Sequence, residues 1–156
     1  MCRAVGNRKT STIWIAPLVL YVRDLERSRV FYRDVLGFRE IFAVPSAAAY
    51  SSGRTHHELL LLDVGPDAQS IPQGRRVGMY HFGLKVGDSD DELRAARDTV
   101  MAAGATIVGS SDHVVTHSLY LRDPDGNEIE LYVDVPGVDW KNDPSLIMAR
   151  PRPLQI

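Results

Sequence analysis

Five side chains combine a reactive type with a suggestive placement: His57, His81, His113, Tyr120 and Glu130. Successive residues of a strand face opposite sides. A strand over Met79–Val86 therefore puts Tyr80, Phe82, Leu84 and Val86 on one face, and Met79, His81, Gly83 and Lys85 on the other. A strand over Asn127–Val133 separates Ile129, Leu131 and Val133 from Glu128, Glu130 and Tyr132. The strand before it, His117–Arg122, sets Leu119 and Leu121 against Ser118, Tyr120 and Arg122. The same alternation from His56 puts His57 with Leu59 and Leu61. His57, His81, Tyr120 and Glu130 then share the side of the sheets away from the helices. Two imidazoles and one carboxylate suit Fe(II), Mn(II), Zn(II) or Ni(II). A single ion with open positions can chelate a substrate through two oxygens and act as a Lewis acid or activate dioxygen.

Each residue also has a plainer reading. A histidine on a sheet is often a hydrogen-bonding residue, Glu130 an ordinary solvent-facing strand residue, Tyr120 half-buried packing, and His56-His57 a polar strand start. His113 precedes its strand, in a loop where an acid or base can sit. His117 takes the helix-facing parity and reads as structural, and Cys2 is given no role.

The elements that must position these groups repeat. The first half, about Thr12 to Val64, opens with a strand from Ile13 to Val22. Asp24 caps a helix whose Ser28, Phe31, Tyr32, Val35 and Leu36 fall on one face, and Gly37 ends it. Strands follow over Arg39–Val44, Ala47–Ser51 and His56–Val64. The second half, about Gly78 to Asp134, repeats the order. After the Met79–Val86 strand, Ser89 and Glu92 form a capping box and Gly104 closes the helix. Strands over Thr106–Val108, His117–Arg122 and Asn127–Val133 follow, the last two joined by the turn Asp123-Pro124-Asp125-Gly126. The plan is β-α-β-β-β, twice, an α+β fold. It predicts one domain over residues 12–134 with modules at about 12–64 and 78–134, a linker at Gly65–Gly74, a loose terminus at 1–11 and a tail at 135–156. The tail's Trp140, Leu146, Ile147 and Leu154 favour docking on the domain or on a partner subunit.

The chain has 156 residues, 44% hydrophobic and 24% charged, with a net charge of −2. That is one domain's worth of ordinary globular protein, with no electrostatic footprint for nucleic acid and no polybasic membrane patch. A single cysteine rules out an intrachain disulfide and cysteine-rich zinc sites, and suits a reducing cytoplasm. Arg3, Arg8 and Lys9 before the apolar run mimic a targeting signal. That run is too short for a membrane span, and Arg23 to Arg27 follow it instead of a cleavage site.

Leu20-Tyr21-Val22-Arg23-Asp24-Leu25-Glu26-Arg27-Ser28 and Phe31-Tyr32-Arg33-Asp34-Val35-Leu36-Gly37-Phe38 resemble the opening module of the vicinal oxygen chelate superfamily. That group includes glyoxalase I, bleomycin- and fosfomycin-resistance proteins and extradiol ring-cleavage dioxygenases. Tyr80 to Val86 resembles its strand with a metal histidine, and Ser118 to Tyr132 its ending with a metal glutamate. The resemblance runs from about Ile13 to Val133 and implies paired βαβββ modules whose sheets enclose a cavity. His56-His57-Glu58-Leu59, and Asp112-His113 followed by Ser118-Leu119-Tyr120, resemble the dioxygenase branch most. By this resemblance His81 and Glu130 are metal ligands, and His57, His113 and Tyr120 are acid-base or orienting residues. The implied cofactor is a divalent metal, Fe(II) or Mn(II) first, then Zn(II) or Ni(II). The implied partners are a small molecule, such as an aromatic diol, and a second copy of the chain.

Pro17 departs from the pattern, standing where the dioxygenases carry a first-strand histidine. Either His57 completes the set His57, His81 and Glu130, or metal binds weakly or not at all. Three functions follow: an extradiol-type dioxygenase, a glyoxalase-like isomerase or lyase using the metal as Lewis acid, and a non-catalytic binder. Phe42, Tyr50, Tyr80 and Trp140 are the candidates to line an apolar cavity in such a binder.

Overall fold

The computed structural model describes residues 17–72 and 74–156. The two halves form two four-stranded sheets with one topology. In the first, β1 (Leu18–Val22), β4 (Leu59–Asp63), β3 (Ala47–Tyr50) and β2 (Glu40–Val44) lie side by side in that order. In the second the order is β5 (His81–Gly87), β8 (Glu128–Asp134), β7 (Thr116–Arg122) and β6 (Ile107–Asp112). The first strand of each half runs parallel to the last, and the other pairings are antiparallel. The repeated β-α-β-β-β plan stands, and the sheets do not close into a barrel.

Alternation decides which face is buried. In the first sheet Leu20, Val22, Ala48, Tyr50, Leu59 and Leu61 point to the core and meet Leu25, Phe31 and Tyr32. In the second, Leu119, Leu121, Ile129, Leu131 and Val133 meet Leu93 and Val100 of α2 (Asp90–Ala102). Ser89 caps α2 by accepting from Glu92 N, and the Glu92 carboxylate returns to Asp88 N, the capping box expected from the sequence. Asp24 caps α1 (Leu25–Arg29) by accepting from Arg27 N.

Four sequence expectations change. The first helix widens after Arg29 into a π-helical turn, Val30–Val35, with Leu36 N bonded to Phe31 O at 3.0 Å. Within that turn the adjacent Phe31 and Tyr32 are both buried. β4 starts at Leu59, not His56, because Glu58 ties down the preceding loop: its carboxylate takes the Ser52 amide and, at 2.9 Å, the Ser52 hydroxyl. β6 runs on to Asp112 through Gly109, Ser110 and Ser111, residues with weak strand preference. Tyr50 is fully buried on the helix side, so it lines no open cavity. Cys2, the loose segment 1–11 and the start of the first strand at 13–16 lie outside the described residues. Pro17 is exposed just before β1. Among the described residues no helix is long and apolar enough to cross a membrane.

The halves are joined by the turn after β7. Buried Asp123 accepts from Tyr32 Oη at 2.7 Å, Asn127 N and Nδ2 at 2.8 Å each, and Asp125 N at 3.0 Å. Asp125 accepts from Arg23 N at 3.3 Å, and Arg23 holds the linker through Ala68 O and Ser70 Oγ. Burial, with Asp123 beside it, pushes the Tyr32 phenol well above its ordinary pKa, so it remains a donor. Tyr32→Phe removes a hydrogen bond to a charged acceptor and should cost about 1–3 kcal/mol in urea unfolding with an unchanged m-value.

A second prediction concerns acid. The Arg29 guanidinium donates to both Glu40 oxygens at 2.8 Å and holds that carboxyl below the usual carboxylate range. A lowered folded pKa stabilises fully above the unfolded value, about 4.3 for glutamate, and is lost as pH falls through the folded one. Glu40→Gln should lower the melting temperature at pH 7 and flatten its fall below about pH 4, as read by melting curves across pH.

Candidate functional site

The polar groups gather on the open face of the second sheet. β7 and β8 are registered with Tyr120 opposite Glu130, and β5 and β8 with Gly83 opposite Glu130. The phenol Oη of Tyr120 donates to Glu130 Oε1 at 3.1 Å. The other carboxylate oxygen, Oε2, lies 3.4 Å from Nε2 of His81, the first residue of β5. His113 reaches in from the turn between β6 and β7, with Nε2 2.7 Å from Tyr120 Oη. The structure thus brings together four of the five singled-out residues in one line, His113–Tyr120–Glu130–His81.

Local sequence explains each placement. Gly83 makes room: a Cβ there would lie 3.2 Å from the Tyr132 ring and 3.4 Å from Glu130 Oε2. The His113 turn is tight, with His113 N bonded to Thr116 O and Asp112 Oδ1 accepting from Val114 N at 2.7 Å. Val114 sits at φ +71°, a strained conformation for a β-branched residue that costs on the order of 1–3 kcal/mol. The turn's hydrogen bonds hold that strained conformation and fix the backbone beside His113.

Tyr120 is half-buried, and burial followed by the Glu130 charge pushes its phenol pKa up. It is therefore an O–H donor and not a phenolate. With its single proton on Glu130, its oxygen accepts from His113, which fixes the proton of His113 on Nε2. Histidine nitrogen NMR should find His113 as the Nε2–H tautomer in the wild type. In Tyr120→Phe that tautomer preference should be lost.

Two clefts flank the line. One, of about 560 Å³, lies between Tyr80, Arg122 and Glu128 and, just past the linker, Arg75 and Arg76. The other, of about 380 Å³, has Glu130, Tyr132 and Thr116 on the sheet and Trp140 and Ile147 from the C-terminal segment. The tail docks on its own domain. Of the apolar-cavity candidates, Tyr80 and Trp140 line clefts, while Phe42 is exposed on β2 of the first sheet.

His57 lies outside this group. It precedes β4, with its Nδ1 2.6 Å from Nδ1 of His56. Among the described residues no three His, Cys, Asp or Glu side chains come together as a metal-binding group. His81 and Glu130 supply an imidazole–carboxylate pair that suits a divalent ion. The space left by Gly83 fits the carboxylate, and the buried Nδ1 of His81 has no hydrogen-bond partner. The residues present therefore fit two donors of a three-donor set. His117 is structural, as its parity implies: its Nδ1 is 2.7 Å from Asp90 at the start of α2. Sequence reasoning assigned no role to Gly83 or Thr116, and gave Ile147 only as part of a docking tail. A glycine on a strand's site-facing side is the signal that marks the first.

The paired βαβββ fold with a His–Glu pair on the open face of its second sheet defines a vicinal oxygen chelate protein. The sequence model of the Glyoxalase/Bleomycin resistance protein/Dioxygenase superfamily matches residues 14–131, and the chain belongs to that family. It is 38% identical over 124 residues to catechol-2,3-dioxygenase of Bacillus subtilis, across 80% of this chain and 42% of that one. It is 32% identical to biphenyl-2,3-diol 1,2-dioxygenase 3 of Rhodococcus globerulus, across 80% of this chain and 65% of the relative. The chain thus spans well under half of the first relative and just under two thirds of the second. Lactoylglutathione lyase from Agrobacterium tumefaciens shares the fold with a TM-score of 0.61 and 29% identity, over 79% of this chain and 95% of that one.

Proposed function

We propose that the chain is an enzyme of the extradiol dioxygenase type, acting on an aromatic vicinal diol with a divalent metal. The observation that carries this reading is the continuous line His113–Tyr120–Glu130–His81, together with relatives named as catechol and biphenyl-diol dioxygenases. In this reading His81 and Glu130 hold the ion, Fe(II) or Mn(II) by preference, with Zn(II) and Ni(II) accepted by the same donors. His57 is the proposed third donor, released from its contact with His56. When bound, the ion supplies a two-point anchor for the diol oxygens and lowers their pKa.

The chain's own groups do the rest. Tyr120, kept protonated, turns its O–H from Glu130 to a substrate oxygen. His113 holds that phenol in place through its Nε2–H. If His57 stays out of the ion's shell, it is the remaining base on the first module. The proposed setting is the cytoplasm, in keeping with a single cysteine, and the proposed assembly is a homodimer.

A second reading has its own support. Pro17 and a set of two assembled donors favour a small-molecule binder without catalysis. Metal analysis of protein purified without chelator separates the two. The expected result is near-stoichiometric Fe or Mn in the wild type, lost in His81→Ala and Glu130→Ala, with oxygen uptake on catechols falling more than about 100-fold in both. Tyr120→Phe should keep the metal and lose about 100-fold or more in kcat. A metal-free wild type that takes up none of Fe(II), Mn(II), Zn(II) or Ni(II) overturns the enzyme reading and leaves the binder.

A further inference from the structure

The family match ends at residue 131, yet the cleft containing Glu130 takes two of its walls from residues 140 and 147. This segment is pinned at both ends. Val135 N bonds to Val115 O at 3.0 Å where it leaves β8. Farther on, Arg152 and Asp112 exchange two backbone hydrogen bonds at 2.9 Å each, adding a bridge to the edge of β6. Leu154 O accepts from Ser110 Oγ at 3.0 Å, and Leu154 and Ile156 pack on the core. Between the pins the chain has its own internal bonds. Asp139 accepts from Asn142 Nδ2 at 2.7 Å, and Asp143 caps the short 3₁₀ helix Pro144–Met148 through Ser145 N.

Held this way, Trp140 and Ile147 flank the cleft while 44% and 54% exposed. An indole anchored beside a carboxylate and left half uncovered is a ready surface for a flat ring. Lys141 places its ammonium over the indole at 5.6 Å from the ring centre.

We propose that the C-terminal segment 136–149 is the specificity wall of the site, and that Trp140 selects aromatic over aliphatic vicinal diols by packing on the ring. This rests on the reading that the His81–Glu130 face binds substrate. Trp140 is here a specificity residue and takes no part in the chemistry.

The chain has two tryptophans, so Trp14→Phe makes Trp140 the sole indole reporter. Anaerobic titration of that protein with catechol should give a saturable change in Trp140 fluorescence, and 1,2-propanediol should give none. By calorimetry Trp140→Ala should weaken catechol binding about 3- to 10-fold, with Trp140→Phe recovering most of it. In turnover the loss should fall on KM, with kcat kept. Catechol binding that leaves Trp140 fluorescence unmoved, or that Trp140→Ala leaves unchanged, overturns the specificity wall and spares the proposed function. No catechol binding by calorimetry to the wild type overturns both.

Discussion

The buried carboxylate of Asp123 is the constraint on which the two-module arrangement depends. A carboxylate taken out of water is costly unless its oxygens are satisfied. Here Tyr32 comes from the first module, while the Asn127 and Asp125 groups come from the turn itself. Removing any one donor leaves a charge that the protein cannot rehydrate without opening the joint. The same turn sets where β8 begins, since Asp123 N bonds to Asn127 O. The register of β8 against β5 and β7 then places Glu130 opposite Gly83 and Tyr120. Joint and site are therefore connected by seven residues of chain.

Within the site the glycine and the strained turn work as a pair. Gly83 lets the Glu130 carboxylate lie close over β5, and the Asp112–Val114 turn brings His113 over β7. Neither feature helps the fold. A strand glycine forgoes a side chain's packing, and Val114 at positive φ is strained. Both costs fall beside the same four side chains. Local departures from folding preference concentrate where geometry serves another purpose.

Much of the architecture was legible in the sequence because period-2 alternation, caps and turn signals all agreed. The capping box at Ser89, the αL glycines 37 and 104 and the parity of His81, Tyr120 and Glu130 rest on short-range rules that the structure obeys. What stayed hidden leaves no periodic or turn signal in the sequence. His57 looked like a strand residue because nothing local announces that Glu58 will hold the preceding loop. The π-helical turn is invisible because Phe31 and Tyr32 also fit an α-helical face. The wall at Trp140 and Ile147 could be guessed only as an apolar tail that docks, since its place over Glu130 follows from anchors at Asp112 and Ser110.

The duplication sharpens what the backbone alone can specify. Both halves share one strand order, and both turn alternate residues of each strand away from the helices. On that face the first sheet carries Val19 and Tyr21 on β1 beside Leu60 and Leu62 on β4. The second carries His81, Gly83 and Lys85 on β5 beside Glu128, Glu130 and Tyr132 on β8. The same positions hold apolar groups in one copy and donors in the other. The topology therefore presents the same face twice, and polar side chains occupy it in one copy. The tail follows the same asymmetry. It borders the face that carries Glu130, with Trp140 and Ile147 in the same cleft, and it anchors on β6 of the same module. The segment leaves its tryptophan half open in the cleft that holds Glu130.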